Sequence, residues 1–207
     1  VIKEGEERMD VRIDPMLCEG CGICQAGCPV EGIEIPGFTP RQIRAQALAL
    51  AEGPPADAEG FEPRIVAFCC NWCAYVAADM AGVLRLKYPP NVRILRVMCA
   101  GMVDQHMVPE LLRSGADGVA ILGCRPGECN YGSGNSKAAA WAQATRERLE
   151  QAGFSPERFM VGGAASSEGG LFAEMAARFT ERIRKLGPAS AEAGSQETEA
   201  LAGGRVS

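Results

Sequence analysis

Histidine, clustered basic charge and long apolar runs are scarce in this chain, and each scarcity argues against a class of function. The single histidine, His106, excludes active sites that need several imidazoles and nearly excludes mixed cysteine–histidine zinc sites. A net charge of -5 without a basic stripe makes nucleic acid a poor candidate partner. No apolar run approaches the roughly 18 residues that span a bilayer, and the polar start, VIKEGEERMD, lacks the apolar core of a signal peptide. We therefore predict a soluble, cytoplasmic protein with no membrane or nucleic-acid partner.

Cysteine, by contrast, is abundant. The chain has 10 cysteines, divided between a tight run near the N-terminus and a dispersed set from residue 69 to residue 129. Clustered cysteines in an intracellular chain of this size indicate metal or redox chemistry more often than structural disulfides. No Ser/His/Asp set, paired-carboxylate site or flavin motif accompanies them, so no catalytic residue is predicted.

The first run has the spacing C-x2-C-x2-C-x3-C-P, which holds a [4Fe-4S] cluster in bacterial ferredoxins. A cubane needs thiolates at the corners of a tetrahedron, and two-residue gaps let one loop supply three of them. Gly20 and Gly22 let the backbone curl towards the sulfides, where N–H groups can donate hydrogen bonds, and Pro29 ends the loop. The predicted ligands are Cys18, Cys21, Cys24 and Cys28.

The stretch 11–35 resembles one half of a two-cluster ferredoxin, in which the fourth cysteine of each run ligates the other cluster. No second run of this kind follows, so two alternatives stay open for Cys28. It binds the same cluster as the other three cysteines, or it serves a cluster on a segment upstream of this chain. Val1 is not an initiator and favours a fragment of a longer polypeptide, whereas Met9 is an alternative start.

Beyond residue 63 the sequence alternates between apolar strands and amphipathic helices. The segments RIVAFCC, RILRVMC and GVAILGC are short and apolar, as buried parallel strands are, and RFMVGGAA is a weaker fourth strand. Helices are predicted at about 40–52, 74–88, 106–114, 136–151 and 171–186. The predicted fold class is α/β, an open parallel sheet with flanking helices, preceded by a small ferredoxin-like [4Fe-4S] half-domain. The expected divisions are the ferredoxin-like segment 1–36, a helix and linker 37–62, the α/β domain 63–187 and a disordered tail 188–207.

The dispersed cysteines follow the predicted strands. In an open α/β sheet the carboxyl ends of the strands share one edge, where ligands bind, so these sulfurs are predicted to converge. Four converging thiolates suit a [2Fe-2S] cluster, with one or two left for thiol chemistry. The cysteines at or near strand ends are Cys69, Cys70, Cys99 and Cys124, and those in the following loops are Cys73 and Cys129.

Two other interpretations of this set stay open. Cys70 and Cys73 form a C-x-x-C pair between a strand and a helix, a pattern that lowers a thiol pKa and favours a thiol–disulfide oxidoreductase. Alternatively the cysteines bind zinc, and the domain is a zinc-stabilised docking module without activity of its own.

Three stretches carry a more specific resemblance: FCCNWCAYVAADMAG, YPPNVRILRVMCAGMVD and GADGVAILGCRPGECNYGSGN. Over residues 61–188 the chain resembles the delta subunit of methyl-viologen-reducing hydrogenase. The ferredoxin-like segment and PGFTPRQIRAQALALAEG resemble the C-terminal end of the A-type, flavin-containing subunit of heterodisulfide reductase. The chain departs from the delta-subunit pattern at Arg125 and Asn130, where that family often has histidine, and side chains at these positions can tune a cluster potential.

The delta-subunit resemblance implies a [2Fe-2S] cluster and an iron–sulfur electron-transfer subunit of an oxidoreductase, with no substrate site of its own. Electrons would come from a hydrogenase or formate dehydrogenase and pass through both clusters. Their acceptor would be FAD, on an upstream segment or on a partner subunit of an electron-bifurcating heterodisulfide reductase complex of an anaerobe. The implied ligands are drawn from Cys70, Cys73, Cys99, Cys124 and Cys129, with Cys69 the least required.

Overall fold

A computed structural model of the chain describes residues 2–5, 8–30, 32–53 and 60–192. Most of the predicted linker and tail lies outside these residues. The helices are Ile23–Ala26 (α1), Pro40–Ala51 (α2), Ala74–Val83 (α3), Val108–Arg113 (α4), Gly134–Gln151 (α5) and Gly169–Leu186 (α6). The strands are Ile2–Gly5 (β1), Arg8–Val11 (β2), Ile65–Cys70 (β3), Val92–Val97 (β4), Gly118–Gly123 (β5) and Phe159–Gly163 (β6). None of the described helices is both long and apolar enough to cross a membrane.

Four strands form one parallel sheet in the order β4-β3-β5-β6. The two central strands, β3 and β5, are buried along their whole length, which explains their nearly continuous apolar sequence. The predicted α/β class with an open parallel sheet is therefore confirmed, and the weaker fourth strand is present as β6. The ferredoxin-like half stays a prediction, because the described part of the first run forms only the short helix α1.

Helices cover both faces of the sheet and create two cores. The first core lies under α2, α4 and α5, whose Ile43, Leu111 and Leu149 pack with residues of β3 and β5. The second core lies under α3 and α6, where Phe172 and Phe179 are almost completely buried. Because side chains alternate along a strand, neighbouring residues of β3 enter different cores.

The helices that follow β3 and β5 lie on opposite faces of the sheet, α3 over the second core and α5 over the first. The chain leaves β3 towards β4 on one side, and it returns to place β5 on the other side of β3. The carboxyl edge between β3 and β5 is therefore the topological switch point, where open α/β sheets bind their ligands.

One predicted helix ends earlier than its sequence pattern indicated. Helix α3 was expected to continue to Tyr88, but it ends at Val83. Arg85 adopts a left-handed conformation with φ 57. Its N–H donates to Gly82 O, and Leu86 N–H donates to Ala81 O, both at 2.9 Å. These two bonds form a Schellman ending, which usually has glycine at the left-handed residue and so escaped the sequence pattern.

The strands β1 and β2 pair as an antiparallel hairpin that was not predicted. Helix α2 agrees closely with its predicted range. Thr39 and Gln42 form a reciprocal capping box at its start, with Pro40 at the first helical position. Ile43 and Ala47 bury the inner face of α2 in the first core, so the segment after the cysteine run is anchored to the sheet.

A buried arginine extends the ordered domain into the predicted tail. Arg158 is 0% exposed and donates to the carbonyl oxygens of Asp117 and Gly187 and to both carboxylate oxygens of Glu192. Ala189 is also buried. Ala189 and Glu192, which lie in the predicted tail, therefore contact the domain.

We expect Arg158→Ala to lower the free energy of unfolding by about 3 kcal/mol, since it removes one partner of a buried, hydrogen-bonded ion pair. Burial alone would raise the pKa of Glu192, but hydrogen bonds from Arg158 and the Ser155 N–H hold it below its usual value. This stabilisation is fully present above the pKa that Glu192 has in the unfolded chain. It is lost as the pH falls through the lower pKa that Glu192 has in the folded chain.

Urea unfolding at several pH values measures this effect. Arg184→Ala is the control, because Arg184 forms more exposed, solvent-screened ion pairs with Glu62 and Glu181, and their loss should destabilise the fold much less. Equal losses in the two variants would contradict the assignment of a buried, stabilising ion pair.

Candidate metal centre

Five cysteine side chains meet at the switch point, on the side of the first core. Two sulfurs, those of Cys70 and Cys124, lie 3.9 Å apart. Cys73 lies close enough to Cys124, and Cys99 close enough to Cys129, for each thiol to influence the pKa of its neighbour. Cys70 and Cys99 also interact electrostatically, which joins the two pairs. The thiol cluster is defined by Cys70, Cys73, Cys99, Cys124 and Cys129.

Backbone N–H groups point at the sulfurs of this thiol cluster. The N–H groups of Trp72 and Cys73 favour the Cys70 thiolate and work against the effect of burial on its pKa, as the Gly101 N–H does for Cys99. The Asn130 N–H has the same effect on the pKa of Cys124. Interactions of this kind favour the thiolate, which is the form of cysteine that binds metals.

Burial dominates the protonation of the inner thiols. It raises the pKa of Cys70 to about 11, that of Cys99 to about 12 and that of Cys124 to about 11. Burial also raises the pKa of the more exposed Cys73. Burial alone would raise the pKa of Cys129 too, but N–H groups of Asn135, Tyr131 and Gly134 hold it below its usual value. Metal binding to the inner cysteines must therefore displace protons.

A glycine contact brings helix α5 against the thiol cluster. Gly134 N–H donates to Cys129 Sγ at 3.2 Å. A Cβ at Gly134 would lie only 1.9 Å from Cys99 Sγ, so no other residue fits. Gly101 permits a similarly close approach from the other side, because a Cβ at Gly101 would lie only 2.8 Å from Gly134 O. The amino end of α5 thus meets two thiols directly, where its positive dipole favours thiolates.

Cys69 lies apart from this cluster although it precedes Cys70 directly. It belongs to the second core, on the other face of the sheet, and its relative exposure is 0%. Burial raises the pKa of Cys69 far above its usual value, with a smaller contribution from Cys70. It therefore behaves as a small, protonated core side chain.

The loop between Cys124 and Cys129 is held from two sides. Asn135 donates its side-chain N–H groups to the carbonyl oxygens of Cys124 and Arg125, at 3.3 Å and 2.5 Å. On the other side, the Arg125 guanidinium forms a two-point ion pair with Glu168, the residue that precedes α6. These contacts set the position of the loop that carries Cys124 and Cys129.

Two aromatic side chains cover the outer edge of the cluster. Trp72 Nε1–H donates to the Tyr131 hydroxyl at 2.7 Å, and the two rings pack edge to face with centroids 6.2 Å apart. Tyr131 is close enough to Cys99, Cys70 and Cys21 to interact with them electrostatically. The pair therefore shields the cluster on its solvent side.

The first cysteine run lies beside the thiol cluster. Cys21 interacts electrostatically with Cys99, although 78 positions separate them in the sequence numbering. Cys18 and Cys24 are exposed. Cys28 accepts from Gly32 N–H at 3.3 Å, and it lines a cavity of about 430 Å³ that also contacts His106.

The donor set fits an iron–sulfur group better than a single ion. Within the described ranges, no three Cys, His, Asp or Glu side chains are close enough to hold one metal ion. The thiol cluster nevertheless offers five soft ligands with N–H donors in place, which suits a group that spreads its ligands over more than one iron. Sequence reasoning predicted the strand-end cysteines but missed Gly134, Asn135, Tyr131 and Glu168. The only local signal was the short Gly-Ser-Gly segment at the start of α5.

An α/β sheet with clustered thiols at its switch point is an arrangement typical of proteins with thiolate metal or redox chemistry. Residues 65–187 match the family model of the methyl-viologen-reducing hydrogenase delta subunit. The chain belongs to that family, and the resemblance seen in its motifs is confirmed.

Two curated relatives extend this comparison. The D-type iron-sulfur subunit of the F420-non-reducing hydrogenase of Archaeoglobus profundus is 47% identical over 130 residues, 63% of this chain and 95% of that protein. The A-type subunit of the ferredoxin:CoB-CoM heterodisulfide reductase of Methanosarcina mazei is 36% identical over 214 aligned positions. That alignment covers 89% of this chain but only 26% of the longer protein. The chain is thus similar to nearly the whole of one hydrogenase subunit, and to part of a much longer reductase polypeptide.

We expect Gly134→Ala to abolish metal binding at the thiol cluster, because the added Cβ would displace Cys99 or the start of α5. Gly170→Ala is the matched control, since a Cβ at Gly170, also in the first turn of a helix, meets no atom within 4 Å. Iron content and the visible spectrum after anaerobic reconstitution measure the effect. A Gly134→Ala protein with the iron content of the control would show that this close contact is not required.

Proposed function

We propose that this chain is an iron–sulfur electron-transfer subunit of an oxidoreductase complex. The first run, Cys18, Cys21, Cys24 and Cys28, holds a [4Fe-4S] cluster, and four of the five thiols of the thiol cluster hold a [2Fe-2S] cluster. Such groups supply one-electron storage when bound. The protein itself provides thiolates, N–H donors, shielding from water and a fixed spacing between the two sites.

The observation that carries this proposal is the direct packing of the two cysteine groups. Helix α1 of the first run lies on the 3-10 helix Ala100–Met102 that follows Cys99. A Cβ at Gly22 would lie 2.7 Å from Met102 Cε, and one at Gly101 would lie 3.2 Å from Ile23 Cγ1. This contact supports an internal path in which electrons pass between the two sites without leaving the chain.

Exposed apolar surface next to each site supports docking of protein partners. In the described part of the chain, the large exposed apolar side chains lie in two stretches, 13–30 and 72–86. The first flanks the cysteine run, and the second leads away from Trp72 and Cys73. Apolar patches of this kind mark protein–protein contacts. We propose a hydrogenase or formate dehydrogenase as electron donor and the FAD of a heterodisulfide reductase as acceptor.

The thiol–disulfide alternative receives less support. A catalytic C-x-x-C motif needs a thiol whose pKa is lowered, whereas burial raises the pKa of both Cys70 and Cys73. The metal content measured in the next experiment tests the alternative of a zinc-stabilised docking module. A cytoplasmic location also remains a prediction.

The neighbouring cysteines Cys69 and Cys70 provide a matched test of the [2Fe-2S] site. After anaerobic reconstitution of the full chain, we expect about six irons in the wild type and in Cys69→Ala, but about four in Cys70→Ala. The dithionite-reduced EPR spectrum should lose its [2Fe-2S] signal only in Cys70→Ala, because Cys69 faces the other core. Retention of that signal without Cys70 would identify Cys70 as the fifth, non-ligating thiol, whereas a wild type without the signal, or with zinc in place of iron, would overturn the proposed cofactor.

A second experiment tests the internal path. The packing of α1 predicts that two reduced clusters interact magnetically, so the [2Fe-2S] signal should saturate at higher microwave power in the wild type than in Cys21→Ala, which loses the first cluster. Cys69→Ala should behave like the wild type. Identical saturation in all three proteins, each with its expected iron content, would contradict an electron path between neighbouring sites.

A further inference from the structure

The segment before α6 places a compensated charge pair beside the thiol cluster. Arg125 follows Cys124 directly in the chain, and its guanidinium donates to both carboxylate oxygens of Glu168. The Arg125 side chain is 47% exposed and that of Glu168 is 22% exposed. The two charges therefore lie at the rim of the site, where they are screened by solvent but still act on the interior.

Each member of the pair is fixed by further contacts. Glu168 Oε2 accepts the Ala165 N–H at 2.8 Å, and the carboxylate lies at the amino end of α6, where the helix dipole favours negative charge. On the other side, the Arg125 carbonyl oxygen accepts from Asn135, the residue at the start of α5. The guanidinium is thus held in one place relative to Cys124.

The end of β6, which lies shortly before Glu168 in the chain, also packs against the backbone of Cys124. A Cβ at Gly163 would lie 2.2 Å from Cys124 O, and Ala164 N–H donates to Gly123 O at 3.2 Å. The segment from Gly163 to Glu168 therefore runs along the backbone that presents Cys124. A change of charge at Glu168 therefore acts on the site through space, in addition to any shift of the loop that Arg125 holds.

We propose that Glu168 is a positioning residue that sets the reduction potential of the thiol-cluster site by neutralising Arg125. This inference rests on the proposed [2Fe-2S] site. One-electron reduction adds one negative charge to that site without adding a proton. An uncompensated Arg125 favours the reduced form and raises the potential, whereas an uncompensated Glu168 lowers it. With both charges present, the two effects largely cancel.

Three variants of the full chain test the proposal: Glu168→Gln, Arg125→Gln and the double variant. We expect the ratio of reduced to oxidised site, at a fixed applied potential, to rise about threefold in Glu168→Gln and fall about threefold in Arg125→Gln. This is the size that one screened charge at roughly 10 Å produces. The double variant should return close to the wild type, and both shifts should shrink at high ionic strength. EPR-monitored redox titration measures the ratio.

Glu110→Gln is the matched control. Glu110 forms a two-point ion pair with Arg44 between α2 and α4, and its described ion pair involves no residue of the thiol cluster. This variant should leave the ratio unchanged.

The outcomes separate charge from structure. A merely structural pair would move the ratio in the same direction in both single variants, because both break the same contact, and salt would not change it. That result, or unchanged potentials in all variants with full iron content, overturns the role of Glu168 alone. A wild-type protein that binds no iron at the thiol cluster overturns the proposed function and this inference with it.

Discussion

The contact between Gly134 and the sulfurs of Cys99 and Cys129 is the constraint on which the site depends. The missing side chain lets the amino end of an 18-residue helix touch two thiols that come from different loops. Gly101 permits the same approach from the other wall. Because the N–H groups and dipole of α5 then face the sulfurs, the site has its hydrogen bonds before any metal arrives. A larger residue would remove both the space and this arrangement.

The alternation of side chains along β3 is the second constraint, because it directs neighbouring residues to opposite faces of the sheet. Cys69 and Cys70 are adjacent, yet one enters the core under α3 and α6 and the other enters the edge where ligands bind. Thiols can thus converge without a motif of close cysteines, because the sheet edge gathers residues from the ends of β3, β4 and β5. This explains how a site of dispersed residues is built on the same chain as a compact ferredoxin-type run.

Much of this architecture follows from sequence pattern, because buried parallel strands and amphipathic helices leave strong local signals. The strand ends also locate the inner cysteines, since the carboxyl-edge rule depends only on topology. The end of α3 was missed because Arg85 occupies a left-handed position that normally signals itself with glycine. The role of Gly134 was missed because its partner, Cys99, is 35 positions earlier in the numbering and meets it only in three dimensions. Glu168 carried no local signal either, since its role depends on Arg125 across the sheet edge.

The two cysteine groups share one structural element, and this couples them more tightly than proximity alone. The 3-10 helix Ala100–Met102 follows Cys99 and supplies an N–H to its sulfur, and on its outer side it receives α1 of the first run. Met102 is buried between Gly22 and the first core. Any shift of this 3-10 helix would therefore change both the position of the Cys99 sulfur and the surface against which α1 packs. The distance between the two cysteine groups is thus set by the same residues that build them.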